Sequence, residues 1–402
     1  MPASFFRIAV ILGLLSAIGP FAIDMYLPAL PSIGKDLGAP DRLVQMSLLA
    51  FFIPFAIFQL VYGPLADMWG RKAPLYMGIG LFAVASIGCA TASNIETLIA
   101  FRFLQGIGGA AGMVVPRAIV RDMHTGVQAA RLMSLLMLVF SISPILAPLT
   151  GSAVIAFYGW RGVFWAVMIA AFIGLILLST QLNETRSKAD RSESGYRSAV
   201  AAYRLLLGDR HFLTMTFIGG LGISGFLVYL ANSPFVLINH YGLSPTQYSF
   251  AFSINAVSFF AVSQLTGWLG ERFGLIRVMR AAVSGFAFAM AIMAIVMSLG
   301  IDALPVMATL LFIGYGFLGL VIPTAAVLAL EEHGTIAGTA SALMGTLQFV
   351  TAAVAMAIAG LFFDGTAVPM ATGIALCAVA AFVLTQLTLG RRHQAEVEAA
   401  AE

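Results

Sequence analysis

Few residues in this chain are equipped for acid–base or ionic chemistry, and two of them lie in very apolar surroundings. Arg102 stands in Leu98-Ile-Ala-Phe-Arg102-Phe-Leu-Gln105-Gly106, part of a stretch long enough to cross a bilayer. A guanidinium at the centre of such a helix costs ~2.5–3.5 kcal/mol on insertion scales, so it needs a partner or a path to the interface. Asp24 stands in Phe21-Ala-Ile-Asp24-Met-Tyr26-Leu-Pro28, about as far from the end of its stretch as Arg102 is from its own. With a rise of about 1.5 Å per residue, the two opposite charges fall close to one plane, as an ion pair or a shared cavity would require. A carboxyl in low dielectric favours its protonated form unless a cation offsets this, which makes Asp24 the candidate proton carrier. Tyr26 and Gln105 are the candidate substrate-cavity residues beside them.

A second constellation is Gly63-Pro-Leu-Ala-Asp67-Met-Trp-Gly70-Arg71-Lys72, an acid at a helix end, a glycine for a tight turn, then two cations. Such a loop can latch helices together. Other chemistries find no support. The five histidines form no His-Glu-x-x-His pair, and no Gly-x-x-x-x-Gly-Lys-Ser/Thr phosphate loop occurs. Cys89 and Cys377 both fall in apolar stretches and read as packing residues. The reading is therefore no enzyme, no metal site, no bound cofactor and no nucleic-acid partner.

The elements that position these residues follow from composition. Of 402 residues, 60% are hydrophobic and 10% charged, with a mean hydropathy of +0.97, where a soluble domain carries about 25% charged residues. A chain this apolar is stable only in lipid, where every backbone amide must be bonded within a helix or a closed barrel. The apolar stretches run to roughly 20 residues without strict alternation, so helices are expected. Twelve stretches are read: 7–29, 43–65, 74–92, 97–118, 132–157, 162–181, 212–236, 247–269, 277–299, 303–328, 336–362 and 367–389. Arg7 before the first run imitates a secretory leader, but the run continues through Asp24 and Tyr26 without a cleavage site, so it reads as a span. With both termini placed in the cytoplasm, all the Lys and Arg residues are cytoplasmic except Lys35, Arg42 and Arg161 outside and Arg102 within a span. That asymmetry fixes the expected orientation.

The longest polar stretch, 182–211, is expected to be a cytoplasmic linker between two six-helix bundles, 1–181 and 212–402. Gly63, Asp67 and Gly70 recur 204 residues later as Gly267, Glu271 and Gly274. Gly109, Gly112 and Pro116 recur 207 residues later as Gly316, Gly319 and Pro323. Repeated halves are a sequence mark of secondary transporters, whose substrate site lies between halves that rock against each other. Within the fifth stretch, Pro144, Pro148 and Gly151 predict a kinked, closely packed helix.

These motifs together resemble the major facilitator superfamily. The Gly63–Lys72 loop is similar to the family's signature between helices 2 and 3, and the resemblance implies a gate latch of Gly63, Asp67, Gly70 and Arg71 with Asp122 at the end of helix 4. The Leu-Arg-Gln-Gly pattern around Arg102 resembles the helix 4 signature, which implies an arginine that faces the cavity and couples protons to substrate. The Ser143–Ser152 segment is similar to the antiporter signature of helix 5, with Ala147 and Ser152 in place of two glycines. Asp24-x-Tyr-Leu-Pro-Ala-Leu-Pro31 and Ala337-Gly-Thr-Ala-Ser-Ala-Leu343 resemble the drug/proton antiporter branch, within it the bicyclomycin and chloramphenicol resistance family. The resemblance spans the whole chain. It implies a proton-coupled exporter of small apolar or amphipathic drugs, driven by the proton gradient, working as a monomer among lipids of the bacterial inner membrane. The alternative is an uptake symporter of the same fold for a small metabolite.

Overall fold

The computed structural model describes residues 3–124, 126–186 and 196–399 of the chain, and no strand occurs among them. In chain order the helices are α1 (Ala3–Asp24), α2 (Leu30–Asp36), α3 (Asp41–Trp69), α4 (Lys72–Ala90), α5 (Ile95–Met123), α6 (Gly126–Gln181) and α7 (Tyr196–Gly208). They continue with α8 (Arg210–Pro234), α9 (Pro245–Ser263), α10 (Thr266–Phe273), α11 (Leu275–Ser298), α12 (Leu304–Leu330), α13 (Ala337–Leu361) and α14 (Ala367–Ala399).

Among the described residues, eleven helical stretches are long and apolar enough to cross a membrane. One of them, Ser141–Gln181, has 41 residues, about 60 Å at helical rise and twice the hydrocarbon thickness. Gly159 breaks it with φ 67°, so α6 supplies the fifth and sixth crossings and the twelve sequence stretches all have a helix. The break is anchored. Trp160 Nε1 donates to Asp36 at 3.0 Å, while Arg161 pairs with the same carboxylate at 2.6 Å and donates to the Ala92 carbonyl. Trp160 is thus buried at 5% exposure, whereas Trp69 and Trp268 are exposed.

The chain divides into two compact units, Met1–Ala201 with Leu243–Ser253, and Ala202–Gly242 with Ile254–Glu402. Residues 243–253 join the first through Ser249 and Ser253, whose hydroxyls donate to the carbonyls of Pro148 and Ile145. In the first unit α1 packs on α5 and α6, α3 on α5, and α4 on α5 and α6. In the second, α8 packs on α12, α13 and α14, and α11 on α12 and α14.

The repeat seen in sequence has structural counterparts inside each unit. Gly70 closes α3 at φ 91° and Gly274 closes α10 at φ 83°, backbone that a Cβ disfavours, so the same turn is built twice. A Cβ on Gly109 would stand 3.4 Å from Phe51, and one on Gly316 would stand 3.1 Å from Ser258, which is Phe51's position advanced by the same 207 residues. The units share one further pairing that the sequence does not signal. Tyr26 bonds Ser47 Oγ at 2.8 Å in the first unit, and Tyr229 accepts from Asn255 at 3.0 Å in the second.

In the second unit His240 and Tyr241, beyond α8, both hydrogen bond to Asp302 in the turn before α12. The Tyr241 hydrogen bond, followed by that of His240 and its charge, holds the Asp302 carboxyl below the usual carboxylate range. A depressed value in the fold means that Asp302 stabilises the protein above the unfolded pKa of about 4, and that this contribution fades as pH falls through the lower folded value. Asp302→Ala should therefore unfold at a lower temperature than wild type at pH 7 in detergent, with the gap narrowing below about pH 4. A gap that does not change with pH would refute the role.

Candidate functional site

The first site is the loop between α3 and α4, which the Gly70 turn aims back at the ends of neighbouring helices. Arg71 is almost wholly buried there and uses three nitrogens. Nη1 meets Asp67 Oδ1 at 2.6 Å, while Nε and Nη2 clasp both oxygens of Asp122 at 2.7 and 3.0 Å. Burial works against the guanidinium's charge, yet hydrogen bonds and charge from Asp122 and Asp67 hold its pKa above the ordinary arginine value. All three charged residues singled out from sequence are therefore joined in one cluster. Gly63 is different: a side chain there would meet nothing within 4 Å.

Four residues of the cluster carry no recognisable sequence signal for it, and all come from the start of the expected linker. Glu184 accepts from the backbone amides of Arg71 and Lys72 at 2.8 and 3.2 Å, an anion seated on the free N–H groups that open α4. Lys72 Nζ donates to the Leu182 carbonyl, Thr185 to Asp122, and Arg186 Nε to the Asp67 carbonyl. The only local hint is an acid directly after an apolar stretch; its target lies 113 positions away. The corresponding turn at Gly274 keeps its geometry, but no ion pair of Glu271 occurs among the described residues.

The second site lies inside the first unit. Arg102 is 0% exposed. Its Nη1 donates to Gln105 Oε1 at 2.6 Å, and Gln105 Nε2 donates to Ser86 Oγ at 2.8 Å. The guanidinium carbon lies 4.6 Å from the Tyr26 ring centre and 4.5 Å from that of Phe51, contacts that favour a cation on a π face. Ser86, Ser47 and Phe51 emerge only from the structure, since serine and phenylalanine in an apolar span carry no distinguishing signal.

Asp24 closes α1, and the chain goes on through a short 3₁₀ turn, Leu27–Ala29, into α2. Its carboxyl is buried at 5% exposure. The buried Ser143 hydroxyl of α6 lies beside it, though not in hydrogen-bonding geometry. Of the two arrangements that the sequence left open, an ion pair or a shared cavity, the ion pair does not form: Asp24 and Arg102 share the unit, but no salt bridge joins them among the described residues. The helix break at Asp24 explains the mismatch, because counting residues from a helix end gives depth and says nothing of the direction a side chain takes around the axis. Pro144 and Pro148 lie within α6, and Gly151 packs against the break itself, with a Cβ there only 2.3 Å from the Met25 carbonyl oxygen.

A sequence profile of the Major Facilitator Superfamily matches residues 12–356. The chain belongs to that superfamily. It is similar to an uncharacterized MFS-type transporter, YdgK, of Bacillus subtilis, 37% identical with 96% of each chain covered. It is also similar to a bicyclomycin resistance protein homolog of Haemophilus influenzae, 28% identical with 92% of each chain covered. The crystal structure of a D-xylose-proton symporter shares the fold, with a TM-score of 0.74 at 17% identity over 95% of this chain and 97% of that one. As a member of a transporter superfamily, the chain is a multi-pass membrane protein and not an enzyme. The match extends across both the loop cluster and the Arg102 site.

Proposed function

We propose that this superfamily member is a proton-coupled drug exporter of the inner membrane, with both termini cytoplasmic, and that it works by alternating access as a monomer without a bound cofactor. In this reading the chain comprises bundles 1–181 and 212–402 and the linker 182–211, of which 187–195 lie outside the described residues. The observation that carries it is the buried Asp24 carboxyl, placed at a break in the first helix without a cationic partner among the described residues. An ionised carboxylate is expensive in an apolar interior, so a group so placed takes up a proton when sealed and gives it back when water or a cation reaches it. That coupling of protonation to shape is what an antiporter needs. Arg102 biases the equilibrium by its approach or withdrawal, and the Arg71 cluster holds the cytoplasmic side shut in one state. The similarity to a bicyclomycin resistance protein homolog supports drugs as the cargo.

The test uses inverted membrane vesicles and efflux-deficient cells. Adding bicyclomycin or a phenicol to energised vesicles should release protons from the lumen, and protonophore should raise drug accumulation in cells. Asp24→Asn should insert normally and lose drug-driven proton release. Undiminished coupling in Asp24→Asn would remove Asp24 from the mechanism; drug-driven proton movement in the opposite direction would make the protein a symporter.

A further inference from the structure

Arg71 and Arg102 are both buried arginines in the first unit, and they differ in one respect. Arg71 uses its Nε and Nη2 together to grip the two oxygens of Asp122. In Arg102 the same two nitrogens find no hydrogen-bond acceptor among the described residues, although the side chain is 0% exposed. A guanidinium is always charged in proteins, so it cannot relieve this by losing a proton. Buried donors left unsatisfied on a charged group are costly and call for an acceptor from elsewhere. The neighbours are suited to hold the group ready: Ser86 and Gln105 fix Nη1, and the Tyr26 and Phe51 rings flank the guanidinium.

We infer that the Nε–Nη2 edge of Arg102 is a substrate subsite for a carbonyl or carboxylate oxygen on an aromatic compound, with Tyr26 and Phe51 lining the ring's approach. This deepens the exporter reading, and rests on it, by naming the cargo as neutral or anionic and oxygen-bearing. A cation at this edge would meet the guanidinium's charge, since no carboxylate among the described residues pairs with Arg102. Ser86 acts as a positioning residue: it holds Gln105, which in turn orients the guanidinium.

The experiment measures equilibrium binding to the purified full chain in detergent, without a proton gradient, using three probes on one ring system: 2-naphthoate, 2-naphthamide and 2-methylnaphthalene. Hydrogen bonds to a buried cation predict that the two oxygenated probes bind about tenfold or more tightly than the hydrocarbon. Arg102→Gln should erase that preference. Ser86→Ala should weaken only the oxygenated probes, by about threefold, and Ser86→Thr should restore them. The Ser86 pair keeps the test decisive if Arg102→Gln fails to fold. Equal binding of all three probes to wild type overturns the proposal, and so does a preference that survives both Arg102→Gln and Ser86→Ala. A preference without drug-driven proton flux upholds the subsite and sinks the exporter; flux without a preference does the reverse.

Discussion

Gly106→Leu should yield almost no correctly folded protein, and Gly106→Ala a folded but weakened one. A Cβ at this position of α5 would lie 2.2 Å from the Phe51 carbonyl oxygen and 2.9 Å from Pro54 Cγ, both on α3. Carbon and backbone oxygen do not approach so closely, and the obstacle is main chain, which has no rotamer to change. The two helices must part by close to an ångström to admit even a methyl group. Overpacking of that kind costs on the order of 1–3 kcal/mol, and a leucine adds three further carbons with nowhere to go. The loss also spreads, because α3 carries Phe51 and α5 carries Arg102 and Gln105, so parting the helices loosens the ring and the amide that hold the guanidinium. Thermal unfolding in detergent checks the claim, with Gly63→Ala as the control. Although Gly63 belongs to the loop motif, its missing side chain faces open space, and alanine is the better helix former by about 1 kcal/mol. If Gly106→Ala unfolds at the temperature of Gly63→Ala, the close approach of α3 and α5 is wrong.

The second large effect concerns Arg71→Gln. Removing this cation strands Asp122, 16% exposed, beside Asp67, 46% exposed, with Glu184 still seated on the adjoining amides. Breaking a buried pair by deleting one partner costs about 3–5 kcal/mol, and the lower end applies here because Asp67 is well exposed and screened by solvent. Arg71→Lys should recover little, since an ammonium cannot offer the parallel Nε and Nη2 bonds that grip Asp122. Drug efflux and thermal stability should both fall in Arg71→Gln, whereas Asp67→Asn should cost far less. Equal losses from Arg71→Gln and Asp67→Asn would show that the cluster acts only by placing charge at a loop and that the bidentate contact is immaterial.

The contrast between these two positions reflects what each kind of information carries. Glycine in an apolar helix is ambiguous along the chain: Gly63 and Gly106 look alike in composition, and only the neighbour across the helix interface separates them. The loop motif is legible as far as Asp67, Gly70 and Arg71, because an acid, a tight turn and a cation are local facts. Asp122 follows from the family resemblance. Glu184, Thr185 and Arg186 do not emerge at all, since they reach the loop from the far end of α6.

What the amino-acid sequence determined alone is the helical membrane class, the number of crossings, the glycine turn built twice and the identity of the buried charges. Each of these rests on segment length, hydropathy and backbone sterics, which act within a few residues of where they are written. Tertiary structure decided which charges meet. Asp24 and Arg102 share a depth by residue count and yet form no pair, because the first helix breaks at Asp24 and the side chain's direction around the axis is set by packing against α6 and Gly151. The same packing leaves Arg102 beside two aromatic rings and one amide, an arrangement drawn from separate helices whose mutual rotation no single stretch of sequence encodes.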